Sequence, residues 1–149
     1  MGYNYCMKKI SLLILSLFLF SVLTLSVSAD GGIPAQFSLQ RKNYTGANLE
    51  KFNFSGMNLE GFIFENANLE KADFTGANLK GANFKGAEVE EVRFDNANLE
   101  DATFENADLE DASFLDANIT NTCFKNAELE YATWTNGQIC GAGSVTSCW

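Results

Sequence analysis

An apolar side chain recurs at every fifth position through most of this chain. From Leu49 the run reads Leu49, Phe54, Leu59, Phe64, Leu69, Phe74, Leu79, Phe84, Val89, Phe94, Leu99, Phe104, Leu109, Phe114, Ile119, Phe124, Leu129, Trp134, Ile139. Alanine stands two residues before most of these lead residues, as at Ala67, Ala72, Ala77 and Ala82. A period of five matches neither the turn of a helix nor the alternation of a strand. It suits a chain that turns a corner every five residues. Four such segments make a twenty-residue unit, a period typical of solenoids. Five residues cannot bury a core alone, whereas stacked coils can. The lead residue and the alanine before it are expected to point inward and the other three outward. Alanine suits a narrow interior that has room for one large side chain per side.

The lead residues alternate between aromatic and aliphatic. On a four-sided coil this places phenylalanine on two opposite sides and Leu, Ile or Val on the other two, with Trp134 ending one aromatic column. The last residue of each five after an aromatic lead is Gly or Asn at Gly46, Gly56, Asn66, Gly76, Gly86 and Asn96. These residues tolerate positive φ, which predicts type II turns there. After aliphatic leads the position is often Lys51, Lys71, Glu91 or Tyr131, which predicts a different turn type at those corners. Phe52, Met57 and Phe62 replace alanine near the start, so the first coil is expected to be wider or partly open.

The segments Ala67-Asn-Leu-Glu-Lys, Ala72-Asp-Phe-Thr-Gly, Ala77-Asn-Leu-Lys-Gly and Ala82-Asn-Phe-Lys-Gly resemble the pentapeptide-repeat family, whose motif is Ala, Asn or Asp, Leu or Phe, and two variable residues. The resemblance covers residues 37–141. It implies an all-β fold, a right-handed quadrilateral β-helix of about five coils at the roughly 4.8 Å spacing of paired strands. It implies no general enzymatic activity. Some cytoplasmic members resemble DNA in shape and charge and bind gyrase. That alternative applies here only if the chain stays in the cytoplasm.

The ends differ in character from the repeat. Lys8 and Lys9 precede an apolar run from Ile10 to Val27, and Val27-Ser28-Ala29 has the spacing of a leader-peptidase site. Residues 1–29 therefore read as a signal peptide cleaved after Ala29, with Met7 as a possible natural start. Residues 30–36 form a short lead-in and residues 142–149 a capping tail. The expected destination is the periplasm or the medium, with membrane contact only in transit. An uncleaved anchor is the alternative, at the short limit for a span. Losing Lys8 and Lys9 takes a formal charge of −9 to −11, which disfavours nucleic acid as a partner. The chain has no histidine, so imidazole-based catalysis and metal binding are excluded. No cofactor is expected.

An open solenoid end must be covered. The Gly-rich tail, with Cys140, Cys148 and Trp149, suits that purpose. Three pairings are open among Cys123, Cys140 and Cys148. Cys140 with Cys148 is expected on loop locality, leaving Cys123 outward-facing.

Arranged in rows of twenty, Glu50, Glu70, Glu90, Glu110 and Glu130 share one outward column. Its neighbours add Glu88, Asp108 and Glu128 on one flank and Glu91 and Asp111 on the other. Lys51 and Lys71 accompany the lower acids only. Glu88, Glu90, Glu91, Asp108, Glu110, Asp111, Glu128 and Glu130 are thus expected to form one negative patch. Three uses compete: a solvated face, a docking face for a basic protein, and a divalent-cation surface. The column Asn58, Asn78, Asn98, Asn118 falls on the opposite side and is uncharged. The functional expectation is a non-enzymatic exported scaffold that presents its acidic face to a protein partner.

Overall fold

A computed structural model describes residues 42–143. The leader, the lead-in, Cys148 and Trp149 lie outside these residues. Within them, parallel bridges join residues twenty apart. Asn43 to Ile63, Asn48 to Asn68, Asn53 to Asp73 and Asn58 to Asn78 begin four ladders, one per side. The first continues through Asn83 and Thr103 to Cys123. Each lead amide donates forward along the rod, as Leu49 N to Asn68 O at 2.7 Å. The residue before a lead donates backward, as Asn68 N to Ala47 O at 2.9 Å. Five residues per side leave room for isolated bridges rather than extended strands.

The interior follows the alternation of the sequence. Phe54, Phe74, Phe94 and Phe114 stack along one side, with centroids 4.7–5.3 Å apart. Phe64, Phe84, Phe104 and Phe124 stack along another at 4.7–5.4 Å. The two columns meet edge to face across the core, as Phe84 and Phe94 do at 5.7 Å. Offset stacks along a column and edge contacts between columns both suit the aromatic quadrupole. Trp134 closes the first column against Phe114. Leu49, Leu69, Val89, Leu109 and Leu129 fill one remaining side, fully buried, with the Ala residues packed beside them.

At the start of the rod Phe52 and Phe62 occupy alanine positions and are buried, while Met57 is half-buried. Tyr44 stacks on Phe62 at 6.1 Å. Tyr44, Phe52 and Phe62 are thus packed into the core.

The corners depart from expectation. Every corner along the spiral is closed by an amide donating to the carbonyl three residues earlier, as Ala47 N to Tyr44 O at 3.0 Å and Phe52 N to Leu49 O at 3.2 Å. Its third residue has positive φ after aromatic and aliphatic leads alike: 68° at Gly56, 54° at Asn66, 60° at Lys71 and 58° at Tyr131. One kind of corner thus serves all four sides. Ladders on every side must keep the same twenty-residue register, and that geometry overrides residue preference. Lys51, Lys71, Glu91 and Tyr131 accept a left-handed conformation that costs on the order of 1 kcal/mol each.

The C-terminal end also differs. The spiral's last parallel bridges reach Thr133, and the chain then reverses. Trp134 N donates to Gln138 O at 2.7 Å and Gly137 N to Trp134 O at 2.9 Å. Thr133 pairs antiparallel with Ile139, and Cys140 N donates to Ala132 O at 2.8 Å. The return strand covers one edge of the last coil. It also inverts the inward pattern. Ile139, a lead residue by count, is 64% exposed, and Cys140 enters the core instead.

The expected Cys140–Cys148 disulfide reaches outside the described residues, which end before Cys148. Cys140 is buried in the core, and Cys123 is disulfide-bonded. Cys123, on the outward ladder position shared with Asn83 and Thr103, is itself covered from solvent. Its partner lies outside the described residues.

A candidate interaction face

Bridges Asn48 to Asn68, Asn68 to Glu88, Glu88 to Asp108 and Asp108 to Glu128 run up the acidic side. They hold the eight expected carboxylates on one surface, all exposed or half-exposed. The corner turns project Glu91 and Asp111 from its flank, because their backbones adopt positive φ. Side-chain oxygens also tie the turns locally: Glu110 N donates to Asp108 Oδ1 at 3.1 Å, as Glu70 N does to Asn68 Oδ1 at 3.0 Å.

The lower half of this side is neutralised. Lys51 pairs with Glu50, and Lys71 with Glu70. Lys71 also reaches up one coil to Glu91 at 3.2 Å. Residues 71 and 91 differ by one coil, so Lys71 serves the upper half of this side as well as the lower. Hydrogen bonding to Lys71 holds the Glu70 carboxyl below its ordinary range. Among the described residues, Glu88, Glu90, Asp108, Glu110, Asp111, Glu128 and Glu130 have no ion-pair partner. Partial burial, then repulsion from Asp108, pushes the Glu90 carboxyl up. Partial burial, then Glu130, does the same at Glu110. Tyr131 joins the upper rim through a hydrogen bond to Glu130 that raises its phenol. Gly143 N also approaches Glu130 Oε2 at 3.4 Å, where the chain leaves the cap.

The other sides handle polarity differently. On the opposite side Asn78, Asn98 and Asn118 each donate to the asparagine one coil below, at 3.0, 3.3 and 3.0 Å. Lys80 pairs there with Glu100 at 2.8 Å. One aromatic side carries Lys125 on Glu105 at 3.2 Å, and the other carries Arg93 on Asp73. Among the described residues, Glu60, Glu65, Asp95, Asp101 and Asp116 on those sides also lack an ion pair, so the upper acidic side is distinguished by the density of its unpaired carboxylates, seven on one surface. Those carboxylates do not converge on a metal: among the described residues no group of three or more His, Cys, Asp or Glu could hold one. Among the same residues no helix is long and apolar enough to cross a membrane.

A model of a pentapeptide repeat region matches residues 62–134, and one of eight pentapeptide repeats matches residues 43–75. The chain is similar to a crystal structure of the pentapeptide repeat protein Rfr23 from the cyanobacterium Cyanothece 51142. The two share 32% identity over 62% of this chain and 63% of that one, with a TM-score of 0.61. It is also similar to a pentapeptide repeat protein of the Arabidopsis thaliana thylakoid lumen, at 26% identity over 70% of this chain and 81% of that one, with a TM-score of 0.51. QnrB1, a plasmid-mediated fluoroquinolone resistance protein, matches at 19% identity over 68% of this chain and 62% of that one, with a TM-score of 0.42. This chain therefore spans 63% of the length of the Cyanothece protein. No functionally curated protein matches.

Proposed function

This chain belongs to the pentapeptide-repeat family, and we propose that it is an exported, non-enzymatic rod whose upper acidic side docks a protein with a basic surface. One observation carries the reading. Among the described residues, seven carboxylates without an ion-pair partner are gathered on the upper acidic side, whereas the other sides and the lower acidic side mix paired carboxylates with scattered unpaired ones. Unpaired charge held on a rigid ladder raises the local concentration of a cationic partner and orients its approach. The raised carboxyls of Glu90 and Glu110 support the same reading, because a cationic partner would relieve the repulsion that contributes to those shifts.

Export follows the leader-like segment and the disulfide at Cys123, a bond that persists in oxidising compartments.

The docking reading is tested by comparing proteins captured from the exported fraction on wild type and on a Glu90→Gln, Glu110→Gln, Glu128→Gln variant. A cationic protein retained by wild type, released by salt and absent from the variant supports it. Equal capture by both, or no salt-sensitive ligand, overturns it and leaves the acids as a solvating surface.

A further inference from the structure

The reversal that caps the rod contains the chain's only Asn-Gly pair, Asn136–Gly137. Both residues are exposed. Glycine offers no side chain to hinder its own backbone nitrogen, so the pair is chemically the most reactive of its kind in the chain. We propose that Asn136–Gly137 is a deamidation site held in check by the cap, a one-way modification whose rate follows opening of the C-terminal end.

The geometry sets two influences against each other. Asn136 Oδ1 accepts from Gln138 N at 3.0 Å, which polarises the side-chain carbonyl toward attack. The attacking atom would be Gly137 N, and its proton is donated to Trp134 O at 2.9 Å. That bond withholds the nucleophile while the turn is closed. Gly137 is further held at a φ of 78°. Three contacts maintain the closed turn: Trp134 N to Gln138 O, the Thr133–Ile139 bridge and Cys140 N to Ala132 O. Loss of the latch frees the Gly137 amide and leaves the dipeptide intact.

The chemistry needs only water. Gly137 N loses its proton and bonds to Asn136 Cγ. The bond from Cγ to the side-chain nitrogen breaks, and that nitrogen leaves as ammonia carrying the proton. Water then adds to either carbonyl of the cyclic imide, and one carbon–nitrogen bond opens to give aspartate or isoaspartate. Either product places a new carboxylate one coil above Asp116. Isoaspartate also inserts an extra backbone atom into the turn, so the Trp134–Gln138 closure cannot re-form as before.

The test incubates the full chain at mildly alkaline pH, folded and in urea, and follows Asn136 by peptide mapping with isoaspartate methylation as the probe. Conversion in urea is expected to be about tenfold faster or more, as for any site that must first open locally. Cys140→Pro removes the amide that latches the return strand and should bring the folded rate toward the urea rate. Equal rates in the folded and unfolded wild type, or no conversion at Asn136 in urea, overturn the proposal. The wild-type comparison decides even if Cys140→Pro does not fold.

Discussion

The acidic side and the asparagine side share one backbone. Both bridge residues twenty apart, both turn through corners of positive φ, and both bury an aliphatic column. Their outward residues have opposite consequences. Asn58, Asn78, Asn98 and Asn118 satisfy one another up the rod, while the carboxylates above Glu91 repel one another. The difference shows that inward residues specify this fold and outward residues are available for other purposes. A ladder of amides contributes to stability. A ladder of acids opposes it, and so its persistence calls for a use or for tolerance.

The strongest challenge to that division is an interior change. Phe84→Ala removes a side chain stacked between Phe64 and Phe104 and edged by Phe74 and Phe94. A loss of about 3–5 kcal/mol is expected in denaturant titration. A much smaller loss would mean that the core does not set the fold. The corners give the next effect. At Gly86 an added Cβ would come within 2.5 Å of Asn66 Oδ1, whereas at Gly81 it meets nothing within 4 Å. Both glycines have positive φ. Gly81→Ala should cost about 1 kcal/mol from conformation alone, and Gly86→Ala measurably more unless Asn66 swings aside. Equal melting temperatures for the two variants would show that it does.

Asn98→Ala tests the amide ladder. It removes the bonds to Asn78 and from Asn118, and the 3.3 Å bond from Glu100 N. A loss of about 1 kcal/mol is expected, because the groups left behind can turn to water. The smallest effect should have the opposite sign. Glu90 and Glu110 have raised carboxyl pKa values in the folded rod, so the folded state favours their protonated forms. Their contribution is most favourable below the ordinary value of 4.5 and is lost as pH rises through the raised folded values. Glu90→Gln with Glu110→Gln should therefore raise Tm by about 2 °C at neutral pH and leave it nearly unchanged in acid. Destabilisation at neutral pH would mean that these acids make contacts beyond their repulsion.

The interior was legible because burial acts on every coil alike. Each repeat of Phe and Leu restates the same requirement, and Phe54 to Phe124 stack as their spacing predicts. The acidic side was legible for the same reason, since residues twenty apart become neighbours. Corners were misread because local preference was weighed residue by residue, while register acts on the coil as a whole. Tyr131 takes a φ of 58° despite its bulk. The cap was misread because a reversal changes which residues face inward without changing their spacing, so Ile139 and Cys140 exchange roles.

Ladders that join only residues twenty apart also separate the making of the rod from the placing of its surface. Removing ten residues from a middle coil would return phenylalanine to phenylalanine columns and aliphatics to aliphatic ones. The interior would close without a fault. Everything above the cut would, however, have rotated half a turn, and the carboxylates would continue over the asparagines rather than over Lys51 and Lys71. Length changes of this kind act as a dial on the outer surface, turning one chemical stripe past another while the barrel inside stays true.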